Sequence, residues 1–195
     1  MKALIIIIWP LFILLTIFQI LALNKPAHDL IALPLQQTPA IVSQRHQLLD
    51  HLVGRAALNT ADYSQSELEH IADIKKVLKN VQQFYYLLVL ATLIILVLAR
   101  RRGRAFFFKS LMAASRVGLI LLIASGLLLA LFFQPLFYLL HQIIFPAGNW
   151  QFAPVSDLII QIYPPEFFRW FVLAWLGFGC LILLVCFLLV KKYFV

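Results

Sequence analysis

Long apolar segments alternate with polar ones along this chain. Four of them are long enough to cross the roughly 30 Å hydrocarbon layer of a bilayer as helices, at about residues 3–23, 84–99, 117–133 and 170–190. Backbone amides and carbonyls find no water inside a bilayer, so each segment must be helical. The pattern therefore predicts an all-α fold, a four-helix transmembrane bundle. The first segment is interpreted as a retained helix, because its apolar run exceeds the roughly 7–15 residues of a signal peptide core.

The polar segment between the first two spans carries helix signals of its own. Thr38-Pro39 reads as an N-cap followed by proline at the first helical position, and Gly54 as the end of that helix. Ser64 with Glu67, like Ser66 with Glu69, has capping-box spacing. Apolar residues then recur every three or four positions with no Gly or Pro before Arg100. The sequence predicts a small helical cap whose last helix continues into the second span.

The segment between the last two spans is less regular. Pro135 should bend or end the third helix, and Pro146, Gly148 and Asn149 mark a turn. We expect residues 146–169 to form a second outer loop that is irregular or re-entrant.

Charge adds an orientation to this picture. The composition is 63% hydrophobic and only 12% charged, which is too little charge to cover a soluble domain. Nine basic residues, with no acid among them, flank the spans on one side, and the positive-inside rule makes that side cytoplasmic: Lys2, Arg100, Arg101, Arg102, Arg104, Lys109, Arg116, Lys191 and Lys192. The net charge of +8 thus reflects topology and lipid phosphates, and no nucleic-acid partner is expected.

These features divide the chain into eight parts. They are transmembrane helix 1 (1–23), an extracytoplasmic helical segment (24–83), transmembrane helix 2 (84–99), a basic cytoplasmic hairpin (100–116), transmembrane helix 3 with an outer extension (117–145), an outer loop (146–169), transmembrane helix 4 (170–190) and a cytoplasmic tail (191–195). Both termini are expected in the cytoplasm.

All five histidines and all eight carboxylates fall on the outer side. His28, His46 and His51 are interpreted as ordinary surface residues. His70 and Asp73 are three apart on a helix and share a face, so they form either a base with its orienting carboxylate or a solvated polar face. His141 lies among apolar residues near the outer end of the third span, as a functional group or as an interfacial histidine. Two histidines from distant segments are a weak metal signal, and no metal or cofactor is predicted.

Three stretches together resemble one known family. Ser66 to Lys75 is similar to its histidine-containing signature before the second span, and His141 to Phe152 is similar to its H-x-x-x-F-x-x-G-x-W-x-F signature after the third. Asp157-Leu-Ile-Ile, Tyr163-Pro164 and Phe167-Phe168 resemble the approach to its fourth span. The family is the lipoprotein intramolecular transacylase, a bacterial plasma-membrane enzyme, and the resemblance runs from about Tyr63 to the end.

The resemblance implies acyl transfer within one diacylated lipoprotein molecule. The sn-2 chain of its diacylglyceryl cysteine would move to its own α-amino group and leave a lyso-form lipoprotein. His70 and His141 would act as base and acid, with Asp73 orienting His70. Lys75, Asn149, Trp150 and Asp157 would position the substrate or stabilise developing charge. Diacylated lipoprotein and membrane lipid are the expected partners.

Two other readings of the residues stay open. A non-catalytic membrane sensor or assembly partner would use the cap for binding and tolerate loss of both histidines. A metal-dependent lipid hydrolase would bind zinc and respond to chelators.

Overall fold

A computed structural model describes residues 1–194 of the chain. Within this range the elements are α1 (Lys2–Ala22), α2 (Lys25–Ala32), a 3-10 turn (Leu33–Leu35), α3 (Pro39–Leu52), α4 (Gln65–Arg101), α5 (Arg104–Ile144), α6 (Leu158–Ile162) and α7 (Pro165–Phe194). The described residues contain no strand. The helices α1, α4, α5 and α7 are long and apolar enough to cross a membrane. The predicted all-α fold with four membrane helices is confirmed.

The helix ends follow the sequence signals. Pro39 is the first residue of α3, and the Thr38 side chain accepts a hydrogen bond from the backbone N–H of Ile41 at 3.4 Å. Gly54 follows the end of this helix with a φ of +78°, a conformation that residues with a side chain rarely adopt. The predicted start and stop of α3 are therefore both present.

Helix α4 runs without interruption for 37 residues. A reciprocal capping box opens it: the backbone N–H of Ser64 donates to the Glu67 carboxylate at 2.7 Å, and the N–H of Glu67 faces the Ser64 hydroxyl oxygen at 3.4 Å. The prediction that one unbroken helix continues into the second apolar stretch is confirmed.

Helix α5 is bent rather than ended by its proline. Phe132 departs from helical geometry, with φ −127° and ψ 32°, three residues before Pro135. Proline lacks an N–H and its ring clashes with the carbonyl four residues earlier, which displaces the preceding turn. The helix resumes and continues to Ile144, so the residues after the bend form a separate final section of α5.

The chain forms two compact units. The first unit comprises residues 1–19, 82–130 and 173–194, and consists of apolar helical segments. Ile5, Ala99 and Ala114 form one of its buried clusters. Small residues let helices approach closely within it: a Cβ added at Gly118 would lie 2.9 Å from Pro10 Cβ and 2.8 Å from Leu183 Cδ1.

The second unit comprises residues 20–81 and 131–172. Its apolar core contains Leu48 from α3, Ile71 from α4, and Ile159 and Ile162 from α6. It also buries long polar and charged side chains, whose relative exposures are between 1% and 5%: His28, Arg45, Glu67 and His70. The residues singled out as candidate site residues in the sequence all belong to this unit.

A paired-histidine candidate active site

The first histidine is placed by the start of α4. Glu67, which is 1% exposed, uses one carboxylate oxygen for the capping box and the other to accept from the backbone N–H of Ile159 at 2.8 Å. This joins the first turn of α4 to α6. His70 lies one turn further along the same helix and is itself buried, so its ring is held on a fixed scaffold.

The second histidine lies on the final section of α5, after the bend. Nδ1 of His141 hydrogen-bonds to the backbone carbonyl of Phe137 at 2.8 Å. A carbonyl oxygen can only accept, so Nδ1 carries the proton, and in the neutral ring Nε2 keeps its lone pair. His141 is thereby fixed in the tautomer that can take a proton at Nε2.

A turn after α5 closes the surroundings of both rings. The N–H of Phe145 donates to the His141 carbonyl at 2.8 Å, and Gly148, with φ +76°, donates back to Phe145 at 3.1 Å. The predicted turn is present. It brings two buried aromatic residues, Phe145 and Trp150, to the histidines.

The structure brings His70 and His141 together. Their ring centroids are 6.5 Å apart and the rings are tilted by 31°. Phe145 contacts both rings, with centroid distances of 4.5 Å to His70 and 5.6 Å to His141. Phe152 lies 5.4 Å from His70, and Trp150 lies 5.3 Å from His141. The two imidazoles therefore occupy a largely apolar, aromatic surrounding.

This surrounding affects the charge of His70. His70 lies in the polar first part of α4, well before the apolar stretch at 84–99. Burial, with the neighbouring His141 second, lowers its pKa to about 4, while Asn149 and Asp73 oppose part of that shift. At neutral pH the His70 ring is consequently uncharged and can accept a proton.

The other predicted site residues have different neighbours. Asn149 donates from Nδ2 to Asp73 Oδ2 at 2.9 Å, whereas no hydrogen bond joins Asp73 to His70 among residues 1–194. This differs from the direct Asp73–His70 contact that the spacing suggested. Lys75 faces Nε2 of His51 at 3.5 Å. Asp157 accepts from the N–H of Ala153 at 2.7 Å and so stabilises the bend before α6.

The interpretation of His28 as an ordinary surface residue is wrong. His28 is 5% exposed, and its Nε2 donates to the Ala22 carbonyl at 3.2 Å. Its Nδ1 must then accept from the Tyr163 hydroxyl at 2.9 Å. Burial lowers the pKa of His28 to about 4, which keeps the ring neutral. Helical spacing carried a signal for this: His28, Ile31 and Ala32 form the buried face of α2.

His46 and His51 are half-buried and have partners as well. His46 Nε2 lies 2.8 Å from Asp29 Oδ1, which also accepts from the buried Arg45 guanidinium at 2.8 Å. Arg45 further bonds to Gln37, whose amide caps the end of α6 by donating to the carbonyl of Ile162 at 3.1 Å. These contacts hold α2, α3 and α6 together. The contact between Gln37 and Ile162 joins residues 125 positions apart, and Asp29 lies 16 and 17 positions from Arg45 and His46, so the spacing within one helix does not indicate these contacts.

No group of three or more histidine, cysteine or carboxylate side chains is arranged to hold a metal ion within the part of the chain that the structure describes. The arrangement offers two neutral imidazoles side by side, suited to moving a proton between two groups of one bound molecule.

Fold and site together define a class: a polytopic, all-helical membrane protein with a paired-histidine site. A model of the family "Lipoprotein intramolecular transacylase Lit" matches residues 3–168. The chain belongs to this family, and the protein is an acyltransferase.

Solved structures share the fold. The membrane integral lipoprotein intramolecular transacylase Lit from Bacillus cereus is 24% identical, with a TM-score of 0.76 over 98% of this chain and 95% of that one. Two variants of that protein, with a histidine mutated to alanine or to arginine, give TM-scores of 0.67 at 23% and 24% identity, over 98% of this chain and 93% and 91% of theirs. A search of curated proteins found no matching sequence.

Proposed function

We propose that the protein transfers the sn-2 acyl chain of a diacylglyceryl-cysteine lipoprotein to the α-amino group of the same cysteine. Family membership supports the substrate class. The observation that carries the chemistry is the 6.5 Å separation of the His70 and His141 rings inside an aromatic surrounding. The product is a lyso-form lipoprotein with an N-acyl cysteine.

The reaction is a balanced exchange of two bonds. The substrate amine attacks the ester carbonyl carbon, a C–N bond forms, and the bond from that carbon to the sn-2 glyceryl oxygen breaks. One histidine takes the proton that leaves the amine, and the other supplies a proton to the departing glyceryl oxygen. No net proton and no co-reactant is consumed, and the nucleophile belongs to the substrate.

The aromatic surrounding supports transfer over hydrolysis. Amine and ester are tethered to the same cysteine, so holding the two groups side by side turns the reaction into a favoured intramolecular step. Phe145, Phe152 and Trp150 contact the histidine rings. They limit the room for water, which would otherwise compete for the ester carbonyl.

Orientation in a bacterial plasma membrane is part of the proposal. The positive-inside rule supports a cytoplasmic location for both termini and residues 100–116, and an outer location for the histidine site. Asp62→Cys and Arg102→Cys, each in a chain with Cys180 and Cys186 replaced by Ala, test this arrangement. A membrane-impermeant maleimide should label position 62 in intact cells and position 102 only after lysis; the reverse pattern would refute the orientation.

Mass spectrometry of a diacylated lipopeptide incubated with purified protein tests the activity. We expect an acyl chain on the α-amine at unchanged total mass. His70→Ala and His141→Ala should each lower the rate at least ~100-fold, the scale of lost acid–base catalysis. Lys79→Ala, on the exposed part of α4, is the control.

Each alternative outcome has a clear meaning. Loss of one fatty acid would identify a hydrolase, and chelator sensitivity would point to a metal-dependent one. No change of the lipopeptide with folded protein would support the non-catalytic reading, as would full activity of both histidine variants.

A further inference from the structure

Two buried polar atoms near the histidine pair lack hydrogen-bond partners. They are Nδ1 of His70 and Oδ1 of Asn149, and neither has a partner among residues 1–194. A buried unpaired polar atom costs free energy, so two such atoms on neighbouring side chains require an explanation. A ring N–H and an amide oxygen are complementary, because the first can donate and the second can only accept.

Asn149 is also anchored on its other side. Its Nδ2 donates to Asp73 Oδ2 at 2.9 Å, a contact between residues 76 positions apart in the chain. This bond orients the amide, since the nitrogen must face the carboxylate and the oxygen must then face away from it. The Asn149 side chain acts on His70, whose pKa it raises. Asn149 therefore bonds to the carboxylate and is a near neighbour of the ring.

We propose that Asn149 is a positioning residue that links Asp73 to His70. Its Oδ1 accepts the Nδ1 proton of His70, holds the ring in the Nδ1–H tautomer, and leaves Nε2 to take the proton from the substrate amine. Catalytic hydrogen bonds are often long or poorly aligned without substrate and tighten once it binds. The proposal rests on the transacylase reaction proposed above and assigns the role of base to His70.

Charge supports this assignment. When His70 becomes an imidazolium, the Asp73 carboxylate stabilises it through the polarised amide of Asn149. The titratable groups acting on His70 are Asp73 from α4 and His141 from α5. His141 has only the Phe137 backbone carbonyl behind its Nδ1. The Asp73 carboxylate thus opposes part of the lowering of the His70 pKa, whereas the group behind His141 is a neutral backbone carbonyl.

The test uses two variants that separate the hydrogen bond from the charge. Asn149→Ala removes the acceptor for His70 Nδ1. Asp73→Asn keeps an oxygen that can accept from Asn149 but removes the negative charge. Asp62→Asn makes the same charge change at an exposed carboxylate and is the matched control.

Nitrogen-15 NMR of histidine-labelled protein at pH 7.5 reads the tautomer directly, with the His70 signals assigned by their loss in His70→Gln. We expect the Nδ1–H form in the wild type and in Asp73→Asn, and a shift toward Nε2–H in Asn149→Ala. In lipopeptide transacylation, kcat should fall at least ~100-fold in Asn149→Ala and ~10-fold in Asp73→Asn, with KM within about twofold, as for a defect confined to the transition state.

Three results would overturn the proposal. They are an unchanged His70 tautomer in Asn149→Ala, a wild-type kcat in that variant, and a wild-type kcat in Asp73→Asn. If Asn149→Ala does not fold, the kcat of Asp73→Asn decides. Because NMR needs no turnover, a failed relay is distinguishable from a failed function: in the second case the wild type leaves the lipopeptide unchanged while the tautomers can still follow the prediction.

Discussion

The buried polar side chains of the two units differ in length and in the partners to which they bond. In the first unit, the buried polar side chains among the described residues are short hydroxyls: Thr92, Ser110 and Ser115. Thr92 and Ser110 donate to carbonyls four residues earlier in their own helices. In the second unit the buried polar side chains are long, and several bond across the chain. Glu67 reaches Ile159, and His28 reaches Tyr163.

This difference separates two ways of fixing a structure. Helices that span a bilayer satisfy their own backbone groups and pack through small residues, which leaves the partner contacts largely non-polar. A site that must hold two histidines in one geometry needs directional contacts. The second unit supplies them through Glu67, Arg45 and His28, and the candidate site belongs to the same unit.

The largest effect in this comparison of the two units is expected for Glu67→Ala. The change leaves the N–H groups of Ser64 and Ile159 without their acceptor. Each hydrogen bond to a charged group contributes roughly 1.5–3 kcal/mol, so we expect the two together to cost about 3–6 kcal/mol of stability, with a matching loss of transacylation. Thermal unfolding in detergent measures the first and the lipopeptide assay the second.

Glu69→Gln is the matched control for that experiment. Glu69 is an exposed carboxylate two positions further along α4, with only a contact to Gln65. A change of less than about 0.5 kcal/mol is expected there. Equal melting temperatures for Glu67→Ala and Glu69→Gln would show that the Glu67 contacts do not hold the second unit together.

The next effect concerns packing in the first unit. The added Cβ of Gly118→Ala would lie 2.8 Å from Leu183 Cδ1 and 2.9 Å from the Pro10 ring, so a neighbour must move. The added Cβ of Gly177→Ala would have no atom within 4 Å. Both substitutions replace glycine by alanine in a helix, so any gain in helix propensity is the same in the two variants. We expect Gly118→Ala to be about 1–3 kcal/mol less stable than Gly177→Ala in detergent.

The activity of the Gly118→Ala variant provides a second measurement in the same experiment. The molecules of Gly118→Ala that remain folded should keep wild-type kcat, because the histidine pair belongs to the second unit. A lowered kcat in folded Gly118→Ala, or equal stability of the two glycine variants, would contradict the proposed division between packing and site geometry.

Some features of this protein could be predicted from the sequence and others could not, and the two groups differ in whether they are local or join distant segments. Features set by local physics were predictable: apolar length for the four spans, Thr38 and Glu67 for two helix starts, and Pro135 for the bend in α5. Contacts between distant segments were not. The Asp73–Asn149 bond joins residues 76 positions apart, and three-residue spacing on α4 pointed to His70 instead. For His28 the spacing with Ile31 and Ala32 indicated a buried face, but its hydrogen-bond partner Tyr163, 135 positions later, could not be predicted.

The smallest expected effect is the difference in stability between losing one hydroxyl in the second unit and losing one in the first. Tyr163→Phe leaves the buried Nδ1 of His28 without its donor, because Nε2 carries the ring proton for Ala22. About 1–2 kcal/mol should be lost. Thr92→Val removes a hydroxyl that donates to Leu88, a carbonyl the helix already uses, and less than about 0.5 kcal/mol is expected. Thermal unfolding of both variants in detergent measures the difference. If Thr92→Val were the more damaging of the two, buried polar groups would matter as much to the first unit as to the second, and the contrast between the units would not hold.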